Sequence, residues 1–324
     1  MLIGFLADLR NPPQWQRPWA DHYARMLEFI GEADRLGGAG IFLGEHHLTA
    51  DGYMPQSLTF AAAIAARTKR IRIGTSVLLA PLRHPLHIAE QAAVVDILSG
   101  GRLELGLGAG YVPSEFAGFG VERAERFKLL DHAVAEVRRL LGEAVSPPPI
   151  QPRVPIWCGY FGKGARRAGL LGEGLMSVIP SCLAPYIEGL RAGGHDPADA
   201  RMAGTMDMIV TADPERTRAI LQPHIEYQAA AYRVYRDEVD VAEGREPGTS
   251  IQGGSAAVTS YHVVTPEQAV THIRKVTAGL PVAYMIPSLS VGGMPDAFVE
   301  EHIRLTIGQV APALAGDGYT RGAC

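Results

Sequence analysis

The sequence predicts an α/β protein, a (β/α)8 TIM barrel, and three observations carry the prediction. Apolar runs of strand length alternate with longer segments of helical period, eight such units can be counted, and the alternation resumes directly after the one linker-like stretch, residues 146–152. The 324 residues are therefore read as a single barrel domain, 1–324. Hydrophobic residues at 47 % and charged residues at 20 % supply ample material for a buried core.

The elements follow in order. Residues 2–6 read as the first strand, and a helix over 23–36 stops at Gly37-Gly38. Residues 40–43 are the second strand and 56–67 an Ala-rich helix. The β-branched third strand, 71–79, breaks at Pro81, and Pro85 opens a helix running to Ser99. Residues 103–107 form the fourth strand, with a charged amphipathic helix over 123–141 behind it. The proline-rich 146–152 can be neither helix nor central strand, so it is a connector between barrel halves, leading into the fifth strand at 155–158. A helix (163–171), a strand (175–179), a short helix (183–193) and a strand (201–210) follow. After a long helix over 214–235, the chain from Asp237 to Ser260 turns polar and Gly-rich without a period. That reads as a mobile or irregular excursion over the barrel mouth, at about 237–262. Residues 266–278, 281–287 and 295–315 finish as helix, strand and helix.

The formal net charge of −4 and the absence of like-charge blocks argue against nucleic acid or anionic membrane and leave a small-molecule partner. The N-terminus has no basic region before its apolar run, and no apolar stretch reaches bilayer length. Cys158, Cys182 and Cys324 are odd in number and widely spaced, which predicts neither a disulfide framework nor a zinc site and places the chain in a reducing cytoplasm. Cys158 reads as a small apolar residue within the fifth strand.

Catalytic groups of a barrel gather at the C-terminal ends of its strands. There the second strand ends in Glu45-His46-His47, where an imidazole can move protons near neutral pH and a neighbouring carboxylate can orient it. A metal site is not predicted, because adjacent strand residues point to opposite faces and the chain has no H-x-H or H-E-x-x-H. The fifth strand runs into Gly159-Tyr160-Phe161-Gly162-Lys163-Gly164 with Arg166 and Arg167, glycines and cations that read as a phosphate cradle opening a helix, or else as a tight turn with solvated basic residues. Along the fourth strand, Gly106, Gly108 and Gly110 before Tyr111 leave one face without side chains, which either receives a flat ring or allows close packing. Ser76 and Val77 end the third strand. His84 and His87 read as capping or solvent-facing residues. Tyr53, Met54, Tyr111, Phe116, Phe119, Tyr160 and Phe161 predict a mouth suited to an apolar or aromatic substrate.

Taken in order, Gly40-Ile41-Phe42-Leu43-Gly44-Glu45-His46-His47-Leu48-Thr49, Ile73-Gly74-Thr75-Ser76-Val77 with His84-Pro85, and Gly101-Arg102-Leu103-Glu104-Leu105-Gly106-Leu107-Gly108 resemble the bacterial luciferase-like flavin monooxygenases. Pro155-Ile156-Trp157, Thr265-Pro266-Glu267-Gln268 and Pro312-Ala313-Leu314 extend the resemblance over nearly the whole chain. It implies a barrel that binds reduced FMN, supplied by a separate NAD(P)H-dependent reductase, and reacts it with O2 to a flavin C4a-hydroperoxide that oxygenates an organic substrate. It also implies His46 as the acid-base residue with Glu45 and His47 beside it, and a non-prolyl cis peptide at Ser76-Val77 against which the flavin rests. A homodimer through the Ala-rich second helix is implied as well. The same superfamily includes enzymes of the deazaflavin F420, the alternative cofactor, and some members bind flavin without turnover. The resemblance departs at Gly108 and Ala109, where luciferases carry a reactive Cys and a phosphate-binding Arg, so Lys163 and Arg166 are expected to hold the phosphate.

Overall fold

The computed structural model describes residues 1–249 and 261–317. Eight strands close into a barrel: β1 (Leu2–Ala7), β2 (Gly40–Leu43), β3 (Arg72–Thr75), β4 (Leu103–Gly108), β5 (Ile156–Gly159), β6 (Gly174–Met176), β7 (Met202–Met206) and β8 (Val282–Pro287). Each pairs in parallel with the next in chain order, and β8 returns to β1 with Leu2 opposite Tyr284. Parallel neighbours need long crossovers, and helices supply them. These are α1 (Trp19–Leu36), α2 (Ser57–Arg67), α3 (Pro85–Ser99), α4 (Pro113–Phe119), α5 (Arg126–Glu143), α6 (Ala165–Leu170), α7 (Leu183–Ala192), α8 (Pro214–Ala242), α9 (Pro266–Thr277) and α10 (Asp296–Leu305). His84 caps α3, its Nδ1 accepting from the Leu86 N–H at 3.2 Å, as expected.

Five elements differ from the sequence reading. The third strand stops at Thr75, and Leu78–Leu79 pairs separately with β4. Helix α4 was not expected, because a seven-residue helix shows no period. The seventh strand splits at Asp207, and Met208–Val210 leaves the barrel to pair with His262–Val264. The last helix passes through a π turn at Thr306–Val310. The expected excursion at about 237–262 starts as helix, since α8 continues to Ala242. Asp240 is the reason. Buried at the last turn, it accepts from the Thr249 N–H at 3.0 Å and pairs with Arg245 at 2.9 Å, folding the following turn back onto the helix. Residues 250–260 of that excursion lie outside the described residues.

The barrel interior is filled by Phe42, Trp157, Met176, Ala203, Tyr284 and Ile286. Two rings this large fit because glycine faces them: a Cβ at Gly74 would meet Phe42 at 2.4 Å, and one at Gly174 would meet Trp157 at 2.5 Å. At the N-terminal end, Glu104 takes donors from Arg72, from Trp157 Nε1 at 2.8 Å and from the Tyr284 hydroxyl at 3.2 Å. This satisfied carboxylate closes the floor. Among the described residues no helix is long and apolar enough to cross a membrane.

Candidate active site at the barrel mouth

Strand β2 delivers Glu45, His46 and His47 to the C-terminal mouth, all three buried. His46 Nδ1 lies 2.8 Å from Glu115 Oε1, and the same oxygen accepts the His47 backbone N–H at 2.7 Å. Glu45 serves a different set. It accepts from the Ser57 hydroxyl at 2.8 Å, the Leu79 N–H at 3.1 Å and Arg83 at 2.5 Å, and lies 3.3 Å from His47 Nε2. Burial pushes the Glu45 carboxyl up, but His47, Arg83 and the Leu79 N–H outweigh it and hold the group below the usual carboxylate range.

Aromatic rings enclose His46. Tyr235 of α8 stacks on it at 4.6 Å between centroids, while Tyr53, Tyr111 and Tyr232 present edges at 4.8, 5.7 and 6.2 Å. The guanidinium of Arg10, just past β1, lies over Tyr53 at 4.7 Å and Tyr232 at 4.9 Å, bonds Asp51 and stands 3.6 Å from Asp8. Tyr227 of α8 also donates to Asp51, at 3.1 Å. Past β7, burial and the nearby Asp8 push the Asp207 carboxyl up to about 6. The apolar mouth expected from the sequence is thus corrected: this side is built of phenols, one arginine and three acids, because polar residues follow β1, β2 and β7 and tyrosines project from α8.

The Ser76–Val77 peptide bond is cis, and both residues are half-buried at the mouth. Gly108 is not a bare platform. A Cβ there would meet Val77 Cγ2 at 2.1 Å, and one at Gly106 would meet the Thr75 carbonyl at 1.9 Å. Close packing of β3 and the Ser76–Val77 segment on β4 therefore explains these glycines, and a Cβ at Gly159 would make ordinary contact with Val77 Cγ1 at 3.4 Å. Gly110 is left-handed at φ 69° and turns the chain so that Tyr111 reaches His46.

The loop after β5 differs from the expected cradle. Tyr160 turns outward and its hydroxyl bonds Asp131 on α5, so it does not face the mouth. The Gly162 N–H is taken by Cys182 Sγ at 3.2 Å and the Gly164 N–H by the Phe161 carbonyl at 2.9 Å. Arg166 pairs with Glu188 at 2.9 Å and Arg167 with Asp131 at 2.5 Å. Phe161 and Lys163 stay exposed. Sequence reasoning missed Glu115, Arg10, Arg83, Tyr232 and Tyr235. The signal for the tyrosines was present, since spacing of three on a helix puts them on one face. Among the described residues no group of three or more His, Cys, Asp or Glu side chains is placed to hold a metal ion. Cys158 is fully buried and its thiol is pushed well up by burial, in keeping with a packing role.

The sequence profile described as luciferase-like monooxygenase matches residues 1–280. Over 171 residues the chain is 32 % identical to 4-hydroxyprotoasukamycin monooxygenase of Streptomyces nodosus subsp. asukaensis, an alignment covering 53 % of this chain. It spans only 44 % of that relative's length. Over 227 residues it is 30 % identical to F420-dependent glucose-6-phosphate dehydrogenase of Kineococcus radiotolerans, covering 60 % of this chain and 66 % of the relative. The oxygenating constituent of 3,6-diketocamphane monooxygenase from Pseudomonas putida, a type II Baeyer–Villiger enzyme solved with FMN, shares the fold at a TM-score of 0.74 and 16 % identity, covering 97 % and 98 % of the two chains. Barrel, mouth and profile agree, and the chain belongs to the luciferase-like monooxygenase family.

Proposed function

We propose that this chain is the oxygenase of a two-component monooxygenase that binds reduced FMN at the barrel mouth and oxygenates a small organic substrate with O2. The observation that carries the reading is His46, held at Nδ1 by a buried carboxylate and ringed by tyrosines at the strand ends. The residues fit the cofactor. Ser76 and Val77 offer a half-buried edge near Gly110-Tyr111 and Gly159, and Lys163 is an exposed cation in the β5 loop without a partner among the described residues. Ser76, Val77, Gly110, Tyr111, Gly159 and Phe161 would hold the ring system, with Lys163 and the Gly162–Gly164 turn nearest the phosphate. Reduced flavin supplies the electrons that activate O2. His46 takes up and returns a proton at Nε2, and the tyrosines of α8 exclude water above it.

The FMN complex of the diketocamphane enzyme, an oxygenating constituent by its own description, supports both the cofactor and a separate reductase. A homodimer through the Ala-rich α2 belongs to the proposal, and the exposed Leu86, Val94 and Leu98 of the neighbouring α3 support it. The single barrel and a cytoplasmic location belong to the same proposal. The likeness to an F420-dependent dehydrogenase favours the second reading, an F420-dependent oxidoreductase.

Anaerobic titration with reduced FMN, oxidised FMN and F420, followed by turnover with a supplied flavin reductase, tests the proposal. Tight binding of reduced FMN and O2-dependent product support it; oxygen-independent turnover with F420 replaces it with the second reading. Binding without turnover by any substrate would make the protein a flavin carrier. His46→Ala should keep flavin affinity and lose about 10²-fold or more in kcat.

A further inference from the structure

His46 and His47 are neighbours, yet two different carboxylates hold them. Glu45 reaches His47, and its two oxygens are fully used by Ser57, Leu79, Arg83 and His47. Glu115 holds His46 and comes from β4's side of the barrel. Gly110 turns the chain out of β4, Pro113 starts α4, and Phe116 anchors that helix on Leu79 and Leu82. The adjacent Glu115 is thereby driven under the β2 loop, where it is 1 % exposed.

We propose that Glu115 is a positioning residue that acts through His46, and this rests on the reading of His46 given above. One oxygen, Oε1, receives both the His46 ring and the His47 backbone N–H. A carboxylate only accepts, so the ring must carry a proton on Nδ1; in the neutral imidazole that leaves Nε2 bare, the nitrogen that exchanges a proton in the tyrosine chamber. The second oxygen, Oε2, is buried without a hydrogen-bond partner among the described residues. An idle buried acceptor is a net cost to the fold. A bond that merely tied α4 to the β2 loop would need one oxygen, and a neutral side chain could supply it. What the acid adds is an obligate acceptor for the imidazole. Fixing of a tautomer by a buried carboxylate is a general device of histidine catalysis.

The test uses the full chain labelled with 15N-histidine. Long-range 1H–15N spectra give the His46 tautomer, assigned by loss of its signals in His46→Ala, and kcat and reduced-flavin affinity are measured alongside. In the wild type the ring should be the Nδ1–H form. Glu115→Gln keeps an amide oxygen for both donors, so the tautomer should persist and kcat should stay within about tenfold. Glu115→Leu should convert the ring to Nε2–H and lower kcat by about 10²-fold with flavin affinity within about twofold. A wild-type Nε2–H ring sinks the proposal without any functional assay, and so does a Glu115→Leu protein that changes tautomer yet keeps its kcat. Unchanged turnover in His46→Ala, by contrast, overturns the reading of His46 itself.

Discussion

The two ends of this barrel each bury a glutamate, and they treat it differently. At the floor, Glu104 receives Arg72, Trp157 and Tyr284, so both of its oxygens are satisfied. At the mouth, Glu115 receives two donors on one oxygen and none on the other, and Arg10 nearby has Nε and Nη2 without hydrogen-bond partners among the described residues. A saturated buried group adds stability. An unsaturated one weakens the fold and is retained where it does something else. The contrast matches the division of labour in parallel barrels, with stability at the N-terminal face and chemistry at the C-terminal face.

The same substitution at both ends tests the contrast. Glu104→Gln places an NH2 group against one of three inward-pointing donors and strips the charge that Arg72 faces, so it should destabilise by about 3 kcal/mol. Glu115→Gln keeps an oxygen for His46 and His47 and puts its NH2 where Oε2 had no partner, so it should change stability by less than about 1 kcal/mol. Urea unfolding of the two variants measures the difference. Equal losses would mean that the mouth carboxylate is as structural as the floor one.

Much of this was legible in the sequence and some was not, for identifiable reasons. Strand-length apolar runs and helical periods located the eight barrel strands because burial on both faces leaves a local signature. Glu45, His46 and His47 were legible because they follow a strand end. Glu115 was not, since it reaches His46 across 69 positions of sequence from a helix too short to show a period. The glycines of β4 could be read two ways, because a Gly-lined face looks alike whether a ligand or a neighbouring strand fills it. Only the 2.1 Å approach of Val77 to a Cβ at Gly108 decides for the strand. Tyr160 and Arg166 were misplaced for a related reason: sequence places a loop at the mouth but does not say which way its side chains turn.

A titratable group at the mouth sharpens the comparison next. Asp207 is pushed up to about 6 from an ordinary 3.8, chiefly by burial. An acid whose folded pKa is raised contributes its full stability below the unfolded value and loses it as pH climbs through the folded one. The window is therefore about pH 4 to 6. Asp207→Asn retains an acceptor for Ser288 and Tyr261 and removes the ionisation. Relative to wild type the variant should be near neutral at pH 4 and more stable by about 2 kcal/mol at pH 7. Thermal melts across that range check it, and a constant difference at every pH would show that folding does not raise this acid at all.

The smallest effects lie in the loop after β5, where the proposed phosphate contact has two candidate cations. Arg166 is more than a third exposed and paired with the still more exposed Glu188, while Lys163 has no partner among the described residues. Exposed ion pairs contribute about 0–1 kcal/mol, so neither Arg166→Ala nor Lys163→Ala should move the unfolding midpoint appreciably. Their effects on flavin should differ. Recruiting Arg166 to a phosphate means surrendering Glu188, whereas Lys163 gives up only water. Lys163→Ala should therefore weaken reduced FMN by about tenfold and Arg166→Ala by no more than about twofold. Neither variant should alter binding of riboflavin, which has no phosphate. If Arg166→Ala proves the more damaging, the Arg166–Glu188 pair opens on binding, and the loop seen here is a resting arrangement that the cofactor reorganises.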